Sequence, residues 1–128
     1  MTRLLALLLL TLSAMPLQAA EEQDYLYYRD VTIPSFQNLR EFFNLPNRPG
    51  TYQVTLVSDA IGPLTFRIVR VEEDVETEIK RHRSYRVGDH EFHFPFDNPD
   101  GKFDLIVEMA NSNPVGAAKV AVIVVEQP

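Results

Sequence analysis

Three histidines fall within one short stretch, His82, His90 and His93. On an extended strand His90 and His93 point to opposite faces, so that spacing does not make a ligand pair. Glu91 and His93 do share a face. They would ligate zinc or copper if strand pairing brought His82 alongside. The balance favours solvated histidines flanking a ladder of Phe92, Phe94 and Phe96. The Asp97-Asn98-Pro99-Asp100-Gly101 run offers Asp97 and Asp100 as oxygen ligands for calcium. It lacks the ligand count of an EF-hand and has the composition of an ordinary tight turn.

Nucleophilic chemistry finds less support. Ser35, Ser58, Ser84 and Ser112 sit in neither a Gly-x-Ser-x-Gly elbow nor a Ser-x-x-Lys motif. Glu72, Glu73, Asp74, Glu76 and Glu78 form an acidic run, but a charged strand projects such groups outward. A glycosidase needs two carboxyls facing each other ~5–10 Å apart. The sequence therefore reads as non-enzymatic, with no cofactor. Two stretches suit binding instead. Tyr25, Tyr27 and Tyr28 are the densest aromatic cluster. Lys80, Arg81, Arg83 and Arg86 follow the acidic run directly, a segregation of charge that steers a charged partner.

These residues must be positioned by strands. The core of the pattern is Gly50 to Glu72. Its runs Tyr52–Val57 and Leu64–Val71 alternate apolar and polar residues around a connection rich in turn formers. The connection is too short for a crossover helix, so the two runs are expected to pair as an antiparallel hairpin. Tyr25–Ile33 reads as a first strand closed by Pro34. One helical turn and then a strand over Asn38–Asn44 is expected next, although Phe36, Leu39 and Phe43 are also spaced as a helical stripe. Val75–His82 has a sparse inner side, Val75, Thr77 and Ile79, and a charged outer one, as edge strands do. His90–Phe96 and Lys102–Ala110 alternate clearly. Val120–Val125 is apolar almost throughout, which implies a central strand covered on both faces.

The N-terminus has a different character. Arg3, a Leu-rich run over residues 4–12, and small residues ending at Ala19-Ala20 follow the order of a secretory signal peptide. The apolar run is short of the ~20 residues of a membrane span. Cleavage after Ala20 leaves 108 residues, enough for one domain, residues 21–128. The chain has no cysteine, so disulfides and a lipoprotein anchor are excluded, and a bacterial periplasm is the expected compartment. The net charge of −6 becomes −7 without Arg3 and disfavours nucleic acid and anionic lipid as partners.

The expected architecture is an all-β antiparallel sandwich, immunoglobulin-like or jelly-roll-like, of seven to eight strands; a closed barrel is less economical. The runs Gly50–Leu56 and Phe103–Glu108 resemble strands of accessory β-sandwiches on secreted bacterial enzymes. Those residues are generic to sandwiches and imply a fold without a function. The expected function is a soluble, non-catalytic periplasmic module for a protein or cell-envelope partner. The alternative is a small-ligand or metal-binding protein using the His, Glu or Asp side chains above.

Overall fold

The computed structural model describes residues 25–128; the expected leader lies outside the described residues. Eight strands follow in order. They are β1 (Tyr25–Ile33), β2 (Asn38–Phe43), β3 (Gly50–Ser58), β4 (Leu64–Glu72), β5 (Val75–Ser84), β6 (His90–Asn98), β7 (Asp104–Asn111) and β8 (Ala118–Glu126). They form two four-stranded sheets, β1-β8-β3-β6 and β2-β7-β4-β5. Every ladder is antiparallel. Consecutive strands alternate between the sheets, apart from the β4–β5 hairpin, and this interleaving is that of a jelly roll rather than an immunoglobulin sandwich. The β4–β5 turn uses Glu73 and Asp74, both at positive φ (50° and 68°), as a two-residue primed turn requires.

The expected β3–β4 hairpin does not form. β3 pairs with β6 and β8, and β4 pairs with β5 and β7 in the opposite sheet. A short link excludes a helix but not a passage between layers ~10 Å apart. Residues 59–63 make that passage. Alternation settles which side chains face in, not which strand lies alongside.

The inward residues agree with the alternation. Tyr52, Val54 and Leu56 of β3 meet Leu64, Phe66 and Ile68 of β4 in one buried cluster with Phe92, Phe96, Leu105, Val107 and Met109. β8 is central in its sheet, as expected. It is not covered on both sides throughout, since Lys119 is exposed and Ala121 and Ile123 are half-buried. β5 is an edge strand, as expected, but its inner side changes parity. A bulge where Ile68 pairs with Lys80 and Val69 with Glu78 turns His82 and Ser84 inward, and leaves Val75 and Thr77 exposed.

His90 is not solvated. It is fully buried, with Nδ1 2.6 Å from the Ser84 hydroxyl and Nε2 2.9 Å from the Ala60 carbonyl. A carbonyl only accepts, so Nε2 carries the proton. The imidazole thereby ties the 59–63 passage to the end of β5.

Candidate functional site

The two sheets present very different outer faces. On the β2-β7-β4-β5 sheet, arginines and glutamates lie in register. Arg40 pairs with Glu76 at 2.7 Å and with Glu108 at 2.9 Å. Arg67 bridges Glu78 and Glu108, and Glu78 also holds Arg81 at 2.8 Å. Hydrogen bonds from Arg81 first, then Arg67, hold the Glu78 carboxyl below the usual carboxylate range. Beneath this lattice the outward-facing Val69 and Ile106 are buried. The face satisfies its own charges.

The outer face of the β1-β8-β3-β6 sheet has no such lattice. Its side chains stand in rows across all four strands. One row is Tyr28, Ile123, Thr55 and His93. The next is Asp30, Ala121, Val57 and Glu91. His93 is held between its neighbours, with Nε2 2.9 Å from the Glu91 carboxylate and Nδ1 3.1 Å from the Thr55 hydroxyl. A carboxylate accepts, so in the neutral ring Nε2–H donates to Glu91 and Nδ1 accepts from Thr55. Toward the 59–63 end the face dips into a concavity of about 700 Å³. Asp30, Asp59, Asp89 and Glu91 border it, against Lys119 alone among cations. Among the described residues, Asp30, Asp59 and Asp89 enter no ion pair.

The tyrosines divide between two faces. A bulge at Leu26, where Tyr25 pairs with Val125 and Tyr27 with Val124, shifts the parity of β1. Tyr25 and Tyr28 therefore stand together on the open face, ring centroids 5.8 Å apart and each just over half exposed (54% and 53%). Tyr27 turns inward. Its ring lies 5.1 Å from that of Phe43 and its hydroxyl donates to the Asn44 carbonyl. Strict alternation would put Tyr25 and Tyr27 on one face; no signal in the sequence marks the bulge.

The basic segment is divided as well. Arg81 is taken up by Glu78, and Arg83 donates to the Thr65 hydroxyl at 2.9 Å with its guanidinium over the Tyr85 ring. Lys80 sits on the β5 bulge and Arg86 in the loop before β6, both exposed. The charge segregation read from the sequence is thus partly cancelled within the fold.

The residues weighed as metal ligands do not converge. The His82 ring stacks at 5.0 Å and 8° on Phe92, which faces the core, whereas Glu91 and His93 face out from the same strand. β6 therefore stands between His82 and the other two. Asp97 accepts from the Thr51 hydroxyl at 3.2 Å. Asp100 lies in the turn closed by Gly101, at φ 68°, where a Cβ would fall 2.5 Å from the Arg48 nitrogen. Among the described residues no group of three or more His, Asp or Glu is arranged to hold a metal ion. Gln53, Thr55 and Asp30, absent from the sequence-based candidates, join the open face because registers from three ladders converge there.

No protein-family model matches the chain, and no curated protein matches its sequence. Solved structures do resemble it in fold. The Yersinia pseudotuberculosis-derived mitogen superposes with a TM-score of 0.57 at 18% identity, covering 77% of this chain and 83% of that one. A naturally occurring empty particle of cowpea mosaic virus gives 0.54 at 14% identity, covering 80% and 84%. A CBM4 structure gives 0.52 at 18% identity, covering 81% and 76%. At these identities the likeness establishes the β-sandwich fold, which serves a mitogen, a viral particle and a carbohydrate-binding module alike.

Proposed function

We propose that this chain is an exported, periplasmic, non-catalytic module that binds a cell-envelope glycan across the outer face of the β1-β8-β3-β6 sheet. The observation that carries the reading is the exposed Tyr25–Tyr28 pair at one end of a row ending in the Thr55–His93–Glu91 hydrogen-bond chain. Aromatic rings supply apolar contact area with a polar tip. The neighbouring hydroxyl, imidazole and carboxylates supply donors and acceptors at strand spacing, which matches a hydroxyl-rich chain lying flat. The likeness to CBM4 supports the same class of ligand. The absence of a disulfide framework and the leader-like N-terminus support the compartment.

The test is retention on insoluble peptidoglycan, with a soluble-glycan array beside it. The wild-type chain is expected to bind, and the Tyr25→Ala/Tyr28→Ala variant to lose most of that binding. Equal retention of both, or no retention of the wild type on any glycan, would overturn the proposal. A second reading, a small cationic ligand in the concavity, rests on its volume and its four carboxylates against one lysine. Native mass spectrometry with a polyamine reads it out, and no mass increment would end it.

A further inference from the structure

Four connections meet at one end of the sandwich, residues 34–37, 112–117, 59–63 and 85–89. The strand orders set them side by side in that sequence, each passing between the two sheets. Hydrogen bonds join each connection to the next. Ser35 donates to the Gly116 carbonyl at 3.0 Å, and the Asn111 amide to that of Gln37 at 3.0 Å. The Ser112 amide donates to the Pro63 carbonyl at 3.1 Å, and the Gly88 amide to that of Ala60 at 3.0 Å. The result is one braced ridge, about three strand spacings or roughly 15 Å long.

Every connection lifts a large apolar side chain off this ridge. Phe36 is 69% exposed, Val115 83%, Ile61 62% and Val87 79%, with Tyr85 beside Val87 at 72%. Two details show that the backbone is shaped to present them. Phe36 is held at φ 60°, a conformation that is costly for a bulky side chain and that the braced turn enforces. Val115 is displayed by an Asn113 side chain that accepts its amide at 3.0 Å. Of the large exposed apolar side chains, the other end of the sandwich carries Val75, Tyr25 and Phe42.

We infer that this ridge seats the protein on a zwitterionic lipid surface. These side chains come from four different connections, and neither the 700 Å³ concavity nor a second one of about 420 Å³ at the opposite end takes a wall from them. A rigid partner would need a separate socket for each tip; a fluid bilayer interface needs none. The charge pattern selects the kind of lipid. Residues 34–37 and 112–117 carry no charge, and the other two connections carry only Asp59, Arg86 and Asp89. That near balance gives no pull toward an anionic headgroup and little repulsion from a neutral one. Tyr85, apolar with a polar tip, suits the headgroup level.

The chain has no cysteine, so single labelling sites are unambiguous. Val87→Cys and Val115→Cys, each carrying an environment-sensitive nitrobenzoxadiazole, would be titrated with phosphatidylcholine vesicles in the full chain. Asn47→Cys, exposed at the opposite end, serves as the reference. Emission is expected to shift to the blue and rise at least twofold at positions 87 and 115 and to stay unchanged at 47. Adding Ile61→Ser and Phe36→Ser should abolish the change at 87. No change at the ridge, or an equal change at all three positions, would overturn the inference. A concentration-dependent change without vesicles would also overturn it, in favour of a second copy as the occupant.

Discussion

The outer faces of the two sheets are built from the same strand geometry and handle polar groups in opposite ways. On the β2-β7-β4-β5 face, Arg40, Arg67 and Arg81 are consumed by Glu76, Glu78 and Glu108, and the apolar residues beneath are sealed. On the β1-β8-β3-β6 face, Tyr25, Tyr28 and Val57 lie open, and Asp30, Asp59 and Asp89 have no ion partner among the described residues. The difference teaches where to look for function. A surface whose charges are already paired loses them on binding anything else, whereas an unpaired one gains.

That contrast is open to direct attack. The largest expected effect is on binding. Tyr25→Ala/Tyr28→Ala should weaken peptidoglycan retention tenfold or more, about 1.4 kcal/mol or above, yet shift the urea midpoint little. A large loss of stability instead would make the pair a structural element of the edge strand. Next comes Arg67→Ala on the sealed face, which removes the bridge between Glu78 and Glu108 and leaves each with one arginine, Arg81 and Arg40. It should cost about 1 kcal/mol in urea unfolding, at the upper end for surface ion pairs, with glycan retention unchanged.

Acid sharpens the same point. The Glu78 carboxyl is depressed by Arg81 and Arg67, so its contribution is present above the usual carboxylate range and is lost as pH falls through its lowered native value. The stability gap between wild type and Arg67→Ala should therefore shrink between neutral pH and about pH 3, near and below ordinary carboxylate values. A gap that widens would remove Glu78 from the account.

The smallest effect lies beneath the open face. The Tyr52 hydroxyl is buried without a hydrogen-bond partner among the described residues. Tyr52→Phe should be neutral or stabilising by roughly 0.5–1 kcal/mol in thermal melts. Burial first, then Glu126, raises this phenol, so wild-type stability should decline as pH rises past the usual phenol value, about 10. Tyr52→Phe should lessen that decline.

Much of the fold was legible. Aromatic and β-branched content bounded β1, with Pro34 ending it, and the charged run Val75–His82 marked an edge. What escaped was partnership. The same inward alternation in β3 and β4 serves a hairpin or a passage between layers, and only the rest of the chain decides. Parity failed where one extra residue enters a ladder, at Leu26 and Ile79, because a bulge costs no special residue type. His90 looked like a surface group because its acceptor and its hydroxyl partner come from elsewhere in the chain. The open face was half visible. Its tyrosines stood out, but Gln53, Thr55 and Asp30 acquire meaning only when β1, β3 and β8 are adjacent.

The interleaved strand order also governs how the molecule comes together in time. Among the described strands β1 has a single neighbour, β8, so the ladder of residues 25–33 waits for residues 118–126. The β4–β5 hairpin can form locally; every other pairing joins distant segments. Such topology places folding in the millisecond-to-second range. The β1-β8-β3-β6 sheet thus stays unfinished until residues 118–126 are in place.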